Sequence, residues 1–173
     1  RAPRAVARAV AHDGAARAVG VSGRGQGDPL ANRKAEETAT ALVTSLAGGV
    51  EAVADLKLGG PLGISTGRVR PKRSGHWRSH RGLRDVVVNL KALRDLYVHM
   101  SDGAGSALTD TDEDGLVRIL FDQVIKDAGS LGPSMSDLLK TDKGIHWAKA
   151  LHGGLKDLRE TMVLNTAEAL GLV

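Results

Sequence analysis

Residues 83–100 read LRDVVVNLKALRDLYVHM. Leu83, Val86, Val87, Leu90, Leu93, Tyr97 and Met100 recur there mostly three or four positions apart, with charged and amide side chains between them. That period marks one face of an amphipathic helix from about Leu83 to Met100. The stretch Ser101-Asp102-Gly103-Ala104-Gly105 ends it. Upstream, Asp28 can cap a helix whose first turn accepts Pro29. Leu42, Leu46, Val50 and Val53 continue that helix to about Lys57, where Gly59-Gly60-Pro61 is expected to stop it. Downstream, a third helix begins in the acidic run Asp110 to Asp114 and carries Leu116, Ile119, Leu120, Val124 and Ala128. Asp127 to Pro133 interrupts the pattern, and Ser136 to Leu139 adds one turn. The longest helix starts near Asp142, with Ile145, Ala148, Leu151, Leu155, Leu158, Met162, Thr166 and Leu170 on one face.

Four helices with one apolar stripe each predict an all-α, four-helix-bundle-like domain of up-down helices, with a long loop between helices 1 and 2. At 173 residues the chain suits one such domain. Its hydrophobic fraction of 42% is built mainly from Ala, Val and Leu, and the aromatics are Trp77, Trp147, Tyr97 and Phe121. The alternating β-branched and aromatic runs that cover a sheet are missing, which disfavours sandwiches and barrels. No period of a repeat array is present. Residues 1–30, rich in Ala, Arg and Gly, are expected to form a flexible tail ahead of a bundle domain over 31–173, because little but Ala and Val is there to offset ordering.

The absence of Cys removes disulfides, thiolate nucleophiles and Cys-based metal sites. No apolar run is long enough to span a bilayer, and no signal-like succession follows Arg1, so a soluble chain without a membrane span is expected. The net charge of +4 hides two basic blocks. Residues 1–34 hold seven Arg/Lys against Asp13 and Asp28, and residues 68–84 hold seven with no acid, leaving ten to face eighteen acids elsewhere. An acidic body with two basic segments is the consequence.

The second block lies in the loop 59–82, GGPLGISTGRVRPKRSGHWRSHRG, which has six Gly and two Pro. Loops that long are uncommon in compact domains and often functional. With Trp77 at its centre, its cations are able to track phosphates, but one aromatic without a recognition motif makes nucleic acid an unlikely partner. The plainer alternatives are an anion pocket or a loop that folds back onto the acidic body. DTDEDG at 110–115 matches the start of a calcium loop, yet Arg118 and Phe121 occupy the ninth and twelfth positions, so an acidic helix start is the better reading. His76 and His80 have a ligand-like spacing but flank Trp77 in a loop. His146 and His152 fall on different helix faces, and most His are expected at the surface or at helix ends. Ser79 lies near both loop His, but the loop has no carboxylate to orient a base. No HExxH string exists, and no catalytic or metal-ligating set is assigned.

The stretch 71–97, PKRSGHWRSHRGLRDVVVNLKALRDLY, resembles the imelysin-like family, in which a WRS triplet precedes a helix of the form SL-D--xNL-ALR-LY. Trp77, Arg78 and Ser79 supply the triplet, and Leu83, Asp85, Asn89, Leu90, Leu93, Arg94 and Tyr97 supply the helix. Gly60-Pro61-Leu62-Gly63 and the terminal Glu168-Ala169-Leu170-Gly171-Leu172 belong to the same likeness, which covers roughly residues 33–173, the C-terminal part of such a protein.

That resemblance implies an extracytoplasmic, periplasmic or cell-envelope protein of two related helical bundles, sometimes a lipoprotein, linked to iron acquisition. Some relatives are described as metallopeptidases, with a GxHxxE metal motif in the half preceding this segment. Here Gly144, His146 and Lys149 give only GxHxxK, with a cation in the place of the carboxylate. The expectation is therefore a bundle that is not catalytic by itself. Iron or zinc would be held only with the missing half, and a second bundle or an iron-uptake component is the expected partner. Half of a metallopeptidase and a basic nucleic-acid-binding module are the alternatives. Trp77, Arg78, Ser79 and Asn89 are the candidate ligand-cleft residues, against a purely structural role in which Trp77 plugs the bundle end and Arg78 caps carbonyls.

Overall fold

The computed structural model describes residues 29–103 and 112–169, with side chains described from Glu37 onward except at a few helical positions. Residues 1–28 of the expected tail, Asp110 and Leu170 lie outside them, as does the side chain of Thr166. Helix α1 spans Pro29–Glu51 and runs on through a π-helical stretch, Ala52–Gly59, into a single turn, α2, Gly60–Leu62. Helix α3 spans Gly82–Ser101, α4 Asp112–Ser130, the one-turn α5 Met135–Leu138, and α6 Asp142–Ala169. The four long helices touch in a closed ring, α1 on α3, α3 on α4, α4 on α6 and α6 on α1.

Paired side chains give the directions. Asp55 meets His152 while Glu51 meets Arg159, so α1 and α6 run antiparallel. Arg94 meets Asp122 while Arg118 meets Asp102, which makes α3 and α4 antiparallel too. This is the expected up-down bundle. The stripe of α3 is buried as its period predicts, with Leu83, Val86, Leu90 and Tyr97 inside, facing Leu46, Val50 and Val53 of the first helix and Ala148, Leu151, Leu155, Leu158 and Met162 of α6. No helix among the described residues is long and apolar enough to cross a membrane.

Two expectations need correction. The first helix does not stop at Gly59-Gly60-Pro61. The Gly60 amide donates to the Asp55 carbonyl, five residues back, and the turn closes only at Gly63, whose amide donates to Gly60 at 3.2 Å. Leu58 and Leu62 are both buried, so continuing the helix removes two more large side chains from water. Gly63 ends it with φ +67°, a left-handed conformation that costs glycine little. The buried face of α4 also differs. Val117, Phe121, Val124 and Ala128 point inward, while Leu116 and Ile119 are exposed, Ile119 at 65%. Apolar residues occupy most of the positions from 116 to 121, so periodicity permits more than one face. Phe121 decides between them by packing its ring against Tyr97, centroids 5.8 Å apart.

Candidate functional site at the basic end

The antiparallel order brings the end of α2, the start of α3, the end of α4 and the start of α6 to one end of the bundle, which the loop 64–81 and the bridge 131–141 cover together. The bridge caps α3: the Pro133 carbonyl accepts from the amides of Leu83 at 3.0 Å and Arg84 at 3.4 Å, two donors that a helix start leaves unpaired. The approach is close at Gly82, where a Cβ would run into the Ser74 hydroxyl and sit 2.9 Å from the Gly75 carbonyl oxygen and 3.1 Å from the Met135 Cβ. Ser74 is itself buried.

The loop is tied down by its two histidines. His76 pairs through Nδ1 with Asp85 on α3. His80 Nδ1 lies 2.6 Å from Asp137 Oδ2 and 3.3 Å from the Ser134 hydroxyl, which also accepts from the Asp137 amide at 3.2 Å. Carboxylates that the loop lacks are therefore supplied by α3 and α5. Because an ionised carboxylate only accepts, each Nδ1 is the donor, and in the neutral imidazole Nε2 carries the lone pair. Both histidines take positive φ, 53° and 56°, a conformation uncommon outside glycine and often found at functional sites. Asp137 also accepts from Lys140 Nζ at 2.6 Å. The Lys140 ammonium first, then the Ser134 hydroxyl and His80, hold its carboxyl well below the usual carboxylate range.

Between the histidines stands Trp77, half-buried, with the Arg78 guanidinium 5.0 Å from its ring centre and the Lys72 ammonium at 5.8 Å. The Trp77 carbonyl accepts a long bond, 3.5 Å, from the Ser136 hydroxyl. Around this indole is a hollow of about 700 Å³ whose wall includes Arg70, Lys72, Arg78, His80 and Lys140 and, among the described residues, no carboxylate. The four residues expected in a cleft do not all meet there. Trp77 and Arg78 line it, whereas Ser79 turns its hydroxyl to the His76 carbonyl at 3.2 Å. Asn89 lines a second hollow with Lys57, His76, Arg81, Arg84 and Asp85.

Charge pairing separates this end from the body. Arg94 is held by Asp122, Arg159 by Glu51, and Arg118 by Asp102, Asp114 and the Ser101 hydroxyl. The arginine pairs just named all lie away from the end loop; Arg68, Arg70, Arg73, Arg78, Arg81 and Arg84 have no carboxylate partner among the described residues. The alternative in which the loop pairs with the acidic body thus holds for its histidines and not for its arginines.

The calcium-like run is committed elsewhere. Asp112, Glu113 and Asp114 form the first turn of α4, and Asp114 accepts from Arg118 Nε at 2.8 Å. Burial first, and then the negative charge of Asp114, push the Tyr97 phenol well above its ordinary range. Among the described residues no three His, Asp or Glu side chains gather as metal ligands. His146 is exposed at the start of α6, edge-on to Trp147. His76, His80, His99 and His146 are exposed, as expected of most histidines, and His152 is the exception among the described residues: it is only 7% exposed, with Nε2 3.1 Å from Asp55 Oδ1 in the π-helical stretch.

The described residues form an all-α, up-down helical bundle with a cationic, tryptophan-centred end. The chain belongs to the imelysin family, whose family model matches residues 4–162. The match begins well ahead of residue 33 and takes in most of the basic first block, but it ends at residue 162, short of the Glu168 to Leu172 stretch. Neither a curated protein nor a solved structure gives a significant match.

Proposed function

We propose that this imelysin-family bundle is an extracytoplasmic ligand-binding domain that serves iron acquisition and hydrolyses no peptide by itself. Its working surface is the basic end, with Trp77 and Arg78 in the hollow, Ser79 in the loop that carries them and Asn89 in the neighbouring recess. The supporting observation is the set of arginines without acid partners among the described residues, on a loop that two His–Asp pairs hold in place. Cations fixed in position without a counter-charge are suited to an anionic ligand or an acidic partner surface. A periplasmic or cell-envelope location and a partner that is a second helical bundle or an iron-uptake component come with the family resemblance. Any iron or zinc would then take ligands from that partner.

Deleting the gene and measuring cell-associated iron under iron limitation tests the reading, with complementation by the parent sequence and by Arg78→Ala. Reduced iron, restored by the parent and not by Arg78→Ala, is expected. Unchanged iron in the deletion strain sinks the iron link. Peptide cleavage by the purified chain, accompanied by tight zinc or iron binding in calorimetry, would favour a metallopeptidase instead.

A further inference from the structure

The hollow at Trp77 has a chemistry more particular than positive charge. Its volume of about 700 Å³ is that of a small-molecule site. Arg70, Lys72, Arg78 and Lys140 line it, and of these only Lys140 has a carboxylate partner among the described residues. A neutral ligand would leave these cations facing one another.

The walls are nevertheless largely hydrocarbon, formed by the indole of Trp77, the ring of Pro71 and the stems of the long basic side chains. A bare inorganic anion would leave those surfaces wetted. Arg78 reconciles the two properties. Its guanidinium lies over the Trp77 ring, 5.0 Å from the ring centre, and has no carboxylate partner among the described residues, so its N–H fork is able to grip a ligand carboxylate with two parallel bonds. His80 adds a directional feature: Nδ1 is tied to Asp137, and in the neutral imidazole Nε2 accepts from a ligand hydroxyl.

Resting on the reading of this end as a ligand surface, we propose that the hollow binds a small aromatic carboxylate. The carboxylate lies on the Arg78 fork, the flat apolar body lies among Trp77, Pro71 and the side-chain stems, and a ring hydroxyl is directed to His80.

The test uses salicylate on the full chain carrying Trp147→Phe, so that Trp77 is the sole indole reporting by fluorescence. Trp147 is half exposed and lines a different hollow, so the change leaves the site untouched. A saturable change in Trp77 emission is expected. Benzoate, which lacks the hydroxyl, should bind several-fold more weakly. Inorganic phosphate and benzyl alcohol, each carrying half of the chemistry, should compete only at much higher concentration. Arg78→Ala should weaken salicylate at least tenfold, about 1.4 kcal/mol. Arg78→Lys, which keeps the charge and loses the fork, should fall between.

No saturable change up to about 10 mM, a concentration that still detects weak binding, overturns the proposal. So does phosphate binding as tightly as salicylate, or an Arg78→Ala chain that binds like the parent. If salicylate fails while Arg78→Ala still lowers cell iron, the ligand class is wrong and the surface reading stands. Binding without any cellular effect of Arg78→Ala leaves the site in place and removes the iron link.

Discussion

The helical body and the basic end use the same residue types for opposite purposes. In the body, Arg118 bridges two helices by meeting Asp102, Asp114 and Ser101, and Arg94 and Arg159 cross to acids on neighbouring helices. At the end, histidines do the fastening and the arginines are left over. The difference teaches that folding and binding are carried by separable sets of charges. Removing Arg118 takes the guanidinium from the buried Asp114, whereas the end arginines hold no acid among the described residues.

The largest test addresses the body alone. Phe121→Ala should cost about 3–5 kcal/mol in urea or thermal unfolding, as expected when a fully buried aromatic leaves a cavity against Tyr97. Ile119→Ala, two positions away, should change stability by less than about 0.5 kcal/mol. Equal effects would mean that the inward face of α4 is not the one described.

At the junction of the two regions, Gly82→Ala should cost about 1–3 kcal/mol, because its Cβ has no room beside Ser74 and Met135. It should also loosen the loop, read as faster hydrogen exchange at residues 74–82; exchange unchanged from the parent would show that the close approach is not needed. Arg118→Ala should cost about 2 kcal/mol through the charged hydrogen bonds it removes. Arg78→Ala should leave the unfolding midpoint within about 0.5 kcal/mol of the parent. A destabilisation by Arg78→Ala that matches Arg118→Ala would erase the separation and return Arg78 to a structural role.

The smallest effect is on pH dependence. Asp137 has its carboxyl pKa lowered in the folded chain relative to its ordinary 3.8, first by Lys140, then by Ser134 and His80. Its contribution is therefore complete above the unfolded-chain value and is lost as pH falls through the folded-state value. Asp137→Asn should flatten the acid limb of the melting curve below about pH 4. A limb as steep as the parent's would show that the fastening of His80 does not depend on that charge.

Much of the fold is legible along the chain, for a local reason. In α3 and α6 one regular apolar stripe stands out despite exposed Val88, Leu96, Trp147 and Leu164, so period alone names Leu83, Leu90, Tyr97, Leu155 and Leu158 as interior. In α4 the stripe is too broad, and only the tertiary contact between Phe121 and Tyr97 selects the inner face. The site is less legible, because its fastenings are remote. The loop, its basic run and Trp77 stand out by composition. The partners of its histidines do not: His76 and Asp85 are nine residues apart, His80 and Asp137 fifty-seven. His152 and Asp55 are ninety-seven apart, so nothing near His152 signals burial. The serine clamp at Ser134 was open to discovery as a helix-capping residue three positions before Asp137, a signal too short-ranged to reveal that it also meets His80.

The π-helical stretch Ala52–Gly59 gives the first helix a place where its length can change without changing what it faces. Its wide turns accommodate more residues per turn than α geometry does, so a chain shortened by one residue there can close in α register while the residues beyond keep nearly the same facing. Leu62 would stay in the core, and the Pro61 carbonyl would still accept from the Arg70 amide, at 2.7 Å here, and anchor the loop. Among homologous chains, a one-residue deletion should therefore be tolerated better in these eight residues than in the α-helical turns before them.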